Sequence, residues 1–267
     1  MGDGRARGRL VTSRETAEVW PADSALVSRV EPSPNHNERA GGIAPDMLVL
    51  HYTGMRDGAS ALARLRDPTA AVSSHYLVEE DGSLIQMVPE ARRAWHAGVS
   101  RWQGQSDLNS RSIGIEIVNP GHEHGYRPFP PQQIATVVKL CRECVERWSI
   151  VGDRVVGHSD IAPSRKEDPG EFFPWDQLSA AGVGHLVTPV EIRSGRFLTR
   201  GDVGPPVAAW QQMLASYGYD CEATGTFDDA THFATLAFQR HHRPRKLDGC
   251  ADTSTVATLH QLLLTRP

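Results

Sequence analysis

The sequence predicts an α/β fold with a mixed central sheet flanked by helices, followed by a small all-α domain of three helices. Over residues 45–180, short apolar runs bounded by turn residues alternate with amphipathic segments, as expected for a sheet packed against helices. Residues 196–267 instead contain three amphipathic segments separated by Gly and Asp turns. The length of 267 residues accommodates both parts, joined by a loosely patterned linker over 181–195.

Composition excludes several functional classes. The chain is 39% hydrophobic and 22% charged, which indicates a globular protein with a real core. Its formal net charge of −4 argues against a nucleic-acid partner, which normally requires a basic face. No apolar run is long enough to cross a bilayer. The N-terminus has cations but no apolar segment after them, so the sequence predicts a cytoplasmic location.

The first half of the predicted α/β domain follows from local patterns. Residues 1–44 are polar and rich in Pro, Gly and Asn, so we expect an irregular N-terminal arm. The run MLVLHYT predicts a buried strand that ends on His51. GASALARLRDP predicts a short helix stopped by Pro68. SSHYLVEEDGSLIQMVPE predicts two strands around the turn Asp81-Gly82.

The second half contains two more strands and a long helix. RSIGIEIVN predicts a strand with three isoleucines on one face and Gly114 and Glu116 on the other. A helix follows over 131–148, and DRVVGH predicts a strand that ends on His158. The helix contains the motif CxxC, which core packing explains better than redox or metal chemistry. The residues at helical spacing that we expect in the core are Ile134, Val137, Val138, Cys141, Val145 and Trp148.

The C-terminal segments carry helix-start signals. Acidic or hydroxyl side chains precede the apolar positions at Asp228-Asp229 and Asp252-Thr253, where they can cap a helix. Cys221 and Cys250 both lie in this part, but the sequence leaves their pairing open.

Three side chains form a candidate metal site at the rim of the predicted sheet. His51 and His158 each close a buried strand, and strand ends are where α/β sheets place functional groups. Asp168 follows His158 by ten positions across a proline-containing loop that could fold it back. Two imidazoles and one carboxylate leave a fourth tetrahedral position open, as in catalytic zinc sites. The alternative is that each residue is only hydrogen-bonded within the structure.

Two charged residues are candidates for the chemistry beside this site. Glu116 lies opposite the isoleucine face, where it is either a solvated residue or a proton acceptor for metal-activated water. Lys166 lies two residues before Asp168. It is either a surface side chain or a fixed positive charge for a developing oxyanion.

Five segments, in order and spacing, resemble the zinc-dependent N-acetylmuramoyl-L-alanine amidases of the AmpD and AmiD type. They are LVLHYTG, SSHYLV, AWHAGVS, LNSRSIGIEIVNPG and VVGHSDIAPSRKEDPG with FFPW after it. The resemblance covers roughly residues 45–180. It implies one Zn²⁺ per chain held by His51, His158 and Asp168, with Glu116 and Lys166 as the catalytic pair. It also implies hydrolysis of the bond between N-acetylmuramic acid, in intact or 1,6-anhydro form, and L-alanine of the stem peptide.

Further expectations concern the cleft and the second domain. Tyr52, Trp95, His96 and Asn109 lie in or near the family motifs and are expected to contact substrate, whereas His75 is expected to be structural. GHEHG, with His122, Glu123 and His124, could bind a metal, but a solvated loop after Pro120 is the expected structure. The segments LTRGDVGPPVAAWQQMLASYGY, TGTFDDAT, LAFQRHH and LDGCADTST lie within residues 196–267. Through them this part resembles the three-helix peptidoglycan-binding module, so peptidoglycan or muropeptides are the expected partners. AmiD-type relatives act in the periplasm, which is the alternative location.

Two other functions compete with amide hydrolysis. A peptidoglycan-recognition protein would bind muropeptides without cleaving them, but such relatives typically lose a zinc ligand. A zinc peptidase would cut within the stem peptide, but its usual His-x6-Asp pair is not found near a strand end. The sequence does not fix the oligomeric state, the sugar form or the length of the stem peptide.

Overall fold

The structure is a computed structural model that describes residues 20–191 and 194–267. Residues 1–19 of the predicted arm and 192–193 of the predicted linker lie outside the described residues. Within the described part, the strands are β1 Val27–Val30, β2 His36–Asn37, β3 Met47–Tyr52, β4 Tyr76–Val78, β5 Leu84–Gln86, β6 Arg93–Ala94, β7 Ser112–Ile117 and β8 Val155–Gly157. The α-helices are α1 Gly58–Arg66, α2 Leu108–Arg111, α3 Gly121–His124, α4 Pro131–Trp148, α5 His158–Ile161, α6 Trp175–Ala180, α7 Pro205–Tyr217, α8 Asp229–His242 and α9 Thr253–Leu264.

A mixed six-stranded sheet forms the centre, in the order β1-β5-β4-β7-β3-β8. β4 and β5 pair antiparallel around the predicted Asp81-Gly82 turn. The remaining neighbours pair parallel, including β7, β3 and β8. The predicted mixed sheet and the helical C-terminal region are both confirmed.

Each face of the sheet is covered by a different set of helices. The alternation of side chains along β3 sends Leu48 and Leu50 toward α4 and sends Met47 and Val49 the other way. The isoleucines of β7 lie on the α4 side, as predicted, and are fully buried. The opposite side packs against apolar residues of α7, α8 and α9, among them Val207, Trp210, Leu214, Phe238 and Leu259.

The C-terminal helices begin where the sequence indicates. The carboxylate of Asp228 accepts a hydrogen bond from the Thr231 N–H at 2.8 Å, and Asp252 does the same for Thr255 at 2.8 Å. Such caps satisfy backbone donors that have no partner inside the helix. Gly218, at the end of α7, is close to Trp102 of the α/β part. A Cβ at this glycine would lie 2.7 Å from the indole, so the two parts are in intimate contact.

Two predictions about the periphery are wrong. The arm is not wholly irregular, because β1 adds an edge strand to the main sheet and β2 pairs with β6. On α4, Val138, Val145 and Trp148 are only partly buried, and Leu140 and Cys144 take the central positions. The stripe facing the sheet is therefore rotated slightly from the predicted one. All four cysteines are free thiols.

No helix in the described part of the chain is long and apolar enough to cross a membrane.

Candidate metal centre and active site

The candidate site lies at the carboxyl edge of three adjacent parallel strands. His51 is near the end of β3 and pairs in register with Glu116 of β7. His158 follows β8 directly, on the other side of β3. Parallel strands end at the same edge, so residues far apart in sequence meet there.

Three donor atoms converge at this edge. Nδ1 of His51 lies 2.9 Å from Nδ1 of His158, and each nitrogen lies 3.0 Å from Oδ2 of Asp168. All three side chains are buried. A tetrahedral zinc ion, with bonds of roughly 2.0–2.1 Å, separates its ligand atoms by about 3.3 Å. The structure thus brings the three sequence-predicted ligands together with spacings that fit a small metal ion.

His158 begins a helix instead of ending a strand, which corrects the sequence-based boundary. β8 stops at Gly157 because the Asp160 carboxylate accepts the Gly157 N–H at 2.7 Å and closes a single turn, α5. The Nε2 atom of His158 lies 3.2 Å from the carbonyl oxygen of Ala97. That contact leaves Nδ1 free to face the other two donors.

A second histidine orients His51. The Nε2 atom of His51 lies 3.0 Å from Nδ1 of His96, whose own Nε2 lies 3.2 Å from the Ser112 hydroxyl. Ser112 donates in turn to the Leu108 carbonyl at 2.6 Å. This chain fits an N–H on Nε2 of His51 and a lone pair on Nδ1. Such outer partners fix the ring orientation of a metal-binding histidine.

The protonation states also suit metal binding. Burial, with the neighbouring His158 as the second cause, lowers the pKa of His51 to about 4, so the imidazole is neutral at pH 7. Burial alone would raise the pKa of Asp168. The adjacent imidazoles, with His158 first, outweigh burial and hold that pKa below its usual range. A metal requires deprotonated ligands of this kind.

The side chain of Glu116 lies beside the three donor residues and lines the same cavity as they do. Its Oε2 atom is buried and has no hydrogen-bond partner among the described residues. Burial, with the charge of Asp168 as a second cause, raises the pKa of Glu116 well above its usual range, while Lys166 opposes the shift. A buried carboxylate oxygen without a hydrogen-bond partner destabilises the folded state, so its presence needs an explanation. Its position beside the three donors therefore indicates a functional group.

A cavity of about 650 Å³ opens above these residues. Its wall includes Tyr52, His122, Lys166 and Glu167 together with the three donors and Glu116. GHEHG is solvated only in part, because Glu123, His124 and Gly125 are exposed while α3 places His122 in this wall. There its Nδ1 lies 2.9 Å from the Tyr52 hydroxyl and its Nε2 lies 3.1 Å from Glu171. This Tyr-His-Glu contact was not predicted, because Glu171 lies 49 residues from His122 along the chain.

Two of the residues expected to contact substrate do not line this cavity. The Trp95 indole N–H donates to the side-chain oxygen of Asn37 at 2.9 Å, in an exposed hydrogen bond. The Asn109 side-chain oxygen accepts the backbone N–H groups of His96 and Ala97 at 2.9 and 2.7 Å. Asn109 thus holds the backbone that carries His96. Tyr52 and His96 do line the cavity.

His75 is buried, and its ring centroid lies 5.7 Å from that of His96. Its Nδ1 accepts the Gly114 N–H at 2.9 Å, and its Nε2 lies 3.0 Å from the Arg92 carbonyl oxygen. Burial lowers its pKa to about 3, so a neutral, structural histidine fits the site.

Gly114 is the strand residue on which the His96 ring rests. A Cβ at this position would lie 2.4 Å from Cγ of that ring. The ring is buried and its two nitrogens contact His51 and Ser112, so it can move away only by giving up those contacts. We expect Gly114→Ala to lower the free energy of unfolding by about 1–3 kcal/mol, the usual cost of overpacking. We also expect weaker metal retention, measured after dialysis, with stability measured by denaturant unfolding.

The control for Gly114→Ala is the same change in a His96→Ala background. Without the ring, the added methyl group has space, so its cost should fall to a small fraction of that in the parent protein. Equal costs in the two backgrounds would mean that the methyl group clashes with something other than His96.

Comparison with known families identifies similarity over both parts of the chain. Residues 41–171 match the family model described as N-acetylmuramoyl-L-alanine amidase. Residues 203–259 match the family model of a peptidoglycan binding domain.

Individual relatives give a consistent picture. The chain is 40% identical over 231 residues to N-acetylmuramoyl-L-alanine amidase AmiD of Escherichia coli, covering 81% of this chain and 82% of the relative. It is 34% identical to 1,6-anhydro-N-acetylmuramyl-L-alanine amidase AmpD of Enterobacter cloacae, covering 60% of this chain and 91% of the relative. Among solved structures, AmiD of E. coli in complex with anhydro-N-acetylmuramic acid-L-Ala-D-gamma-Glu-L-Lys superposes with a TM-score of 0.70 at 38% identity. That match covers 85% of this chain and 92% of the relative.

Proposed function

We propose that this chain, which belongs to the N-acetylmuramoyl-L-alanine amidase family, uses one zinc ion held by His51, His158 and Asp168. With it the chain hydrolyses the amide bond between N-acetylmuramic acid and L-alanine. The observation that carries the zinc assignment is the triangle of two imidazole nitrogens and one carboxylate oxygen with edges of 2.9–3.0 Å. Nitrogen and oxygen donors in a site with three protein ligands and an adjoining cavity are typical of catalytic zinc.

When bound, zinc supplies a Lewis acid that polarises a carbonyl group and lowers the pKa of water. The rest of the chemistry falls to this chain's own residues. The carboxylate of Glu116 has an oxygen without a hydrogen-bond partner in the described structure. This oxygen accepts a proton from the attacking water. The same carboxyl group then delivers that proton to the departing amine nitrogen of L-alanine.

Lys166 supplies a fixed positive charge. It lies in the cavity wall two residues before Asp168, on the same loop as His158. Its ammonium group stabilises the negative charge that develops on the carbonyl oxygen as the tetrahedral intermediate forms. Its electrostatic influence on both His51 and Glu116 supports a position close to the reacting groups.

The cavity is large enough for part of a muropeptide. Its volume of about 650 Å³ falls in the range of small-molecule sites. Tyr52 and His122 offer aromatic and polar surface for the sugar or for the first residues of the stem peptide. AmiD of E. coli binds an anhydro-muropeptide, so we propose a ligand of the same chemical class here.

The experiment is to incubate the protein with a defined anhydro-muropeptide and with its counterpart that carries intact N-acetylmuramic acid, and to identify the fragments by mass. We expect a free stem peptide that begins with L-alanine, together with the sugar and its lactyl carboxylate. Shortened stem peptides that remain attached to sugar would indicate a peptidase. An unchanged substrate that co-purifies with the protein would indicate a recognition protein.

A further inference from the structure

The loop that carries the candidate ligands is contacted by the C-terminal part of the chain. We call residues 158–168 the metal loop, since they contain His158, Lys166 and Asp168. Within the loop, α5 is a single turn. The two ends of the loop are joined by a backbone hydrogen bond, from the Ser159 N–H to the Asp168 carbonyl at 2.9 Å, besides the contact of the two candidate ligands. A segment with so little regular structure depends on side-chain partners for its position.

Asp160 is the main contact point. Its carboxylate is fully buried two residues after His158. Oδ1 accepts the Tyr219 hydroxyl at 2.8 Å, and Oδ2 lies 2.7 Å from Nδ1 of His241 as well as from the Gly157 N–H. Tyr219 and His241 lie 59 and 81 residues further along the chain. Both oxygens of a buried carboxylate are thus satisfied by side chains from outside the loop.

Two other contacts come from the same end of α8. The His241 ring stacks on the Trp175 indole, with centroids 3.7 Å apart and planes 16° apart. Arg240 contacts the Glu167 carboxylate at 2.8 Å, next to Asp168. The Glu167 side chain is half exposed, so this ion pair contributes little by itself. The buried Asp160 contacts are the stronger connection.

We propose that Tyr219 and His241 are positioning residues for the metal centre. Through Asp160 they fix the turn that presents His158, so the C-terminal part of the chain takes part in the reaction as well as in binding polymer. This inference rests on the proposed assignment of His158 and Asp168 as zinc ligands. It gives a role to the buried Tyr219 hydroxyl, which donates to Asp160 from within a mainly apolar cluster.

The test compares Tyr219→Phe with Tyr217→Phe in the full-length protein. Both tyrosines are almost fully buried in the same cluster. The Tyr217 hydroxyl lies 3.0 Å from Nδ1 of His185, and no hydrogen bond joins it to the metal loop. Each variant loses one buried hydroxyl group and keeps its ring, so Tyr217→Phe reports the general cost of that loss, and Tyr219→Phe should lose more stability because it removes a hydrogen bond to a buried carboxylate. Only Tyr219→Phe leaves Oδ1 of Asp160 without its donor, while His241 and the Gly157 N–H still contact Oδ2.

We expect Tyr219→Phe to weaken zinc affinity about tenfold in a chelator competition assay, at the low end of the effects of outer-shell partners. The visible spectrum of the Co²⁺-substituted protein should also change, since it reports ligand geometry. On a small soluble muropeptide, which needs no polymer attachment, kcat should fall by a similar factor with little change in KM. Tyr217→Phe should resemble the parent protein in all three measurements.

A second pair of variants keeps the proposal testable if Tyr219→Phe unfolds. His241→Ala and His241→Asn both remove the stack on Trp175, but the asparagine amide retains a donor near the Nδ1 position. Zinc affinity should therefore be higher for Asn than for Ala. Indistinguishable zinc affinities and Co²⁺ spectra within each pair would overturn the positioning role. A parent protein that binds no zinc would instead overturn the proposed metal assignment.

Discussion

Replacing His158 with alanine is expected to remove zinc from the protein and reduce amide hydrolysis to background. Only two ligand atoms then remain, Nδ1 of His51 and Oδ2 of Asp168, which lie 3.0 Å apart. A catalytic zinc site relies on three protein ligands, so loss of one leaves weak binding. Metal analysis after dialysis should show about one zinc per chain in the parent and close to none in the variant.

Two measurements make this result decisive. Far-ultraviolet circular dichroism of His158→Ala must match the parent, because His158 is buried and its removal leaves a small void. His124→Ala is the matched control, since this exposed histidine lies near the cavity without lining it. His124→Ala should keep its zinc. A folded His158→Ala protein with full zinc occupancy would refute the ligand assignment.

Replacing Glu116 with glutamine is expected to lower kcat by roughly 10²–10⁴ without loss of zinc, the usual contribution of a positioned general base. Glutamine keeps the size of the side chain but cannot accept a proton from water. Zinc content, KM and kcat should be measured on one preparation. Loss of zinc together with activity would make Glu116 a ligand or structural residue, and near-normal turnover would assign the base elsewhere.

The pH dependence provides an independent readout of the same residue. Burial raises the pKa of Glu116, and the active form of a general base is the deprotonated one. Activity of the parent should therefore decline as the pH falls through this raised pKa, whereas the Glu116→Gln variant should lack that decline. Glu79→Gln is the control, because burial also raises the pKa of Glu79 and this residue lies outside the cavity. Its pH profile should match that of the parent.

Local patterns predicted the parts of the fold that local physics determines. β3, β7 and α4 follow from strand alternation and helical periodicity, and α4 has its predicted bounds of 131–148. β1 was missed because Val27–Val30 has only four residues and a polar centre. Its partner, β5, lies more than fifty residues away. Pairing of that kind depends on tertiary contacts that a short sequence window does not contain.

For the site residues too, local patterns predicted the position in the chain but not the direction of every side chain. Strand ends indicated where His51 and His158 lie, and the structure brings them within hydrogen-bond distance of each other and of Asp168. Whether a nearby side chain faces the cavity or the backbone depends on rotamers and partners. Asn109 illustrates this, since its oxygen is occupied by two backbone N–H groups. The zinc ligation and the catalytic roles remain predictions.

The position of β3 in the sheet has a consequence for synthesis of the protein. His51 leaves the ribosome 117 residues before Asp168, which takes roughly 6–23 s at 5–20 residues per second. β3 also waits for both of its neighbours, β7 and β8, which lie later in the chain. The apolar side of β3 that faces α7 and α9 is covered only when nearly the whole chain has emerged. The three candidate ligands therefore come together only late in synthesis, and a nascent chain that ends before α7 leaves this face of the sheet uncovered.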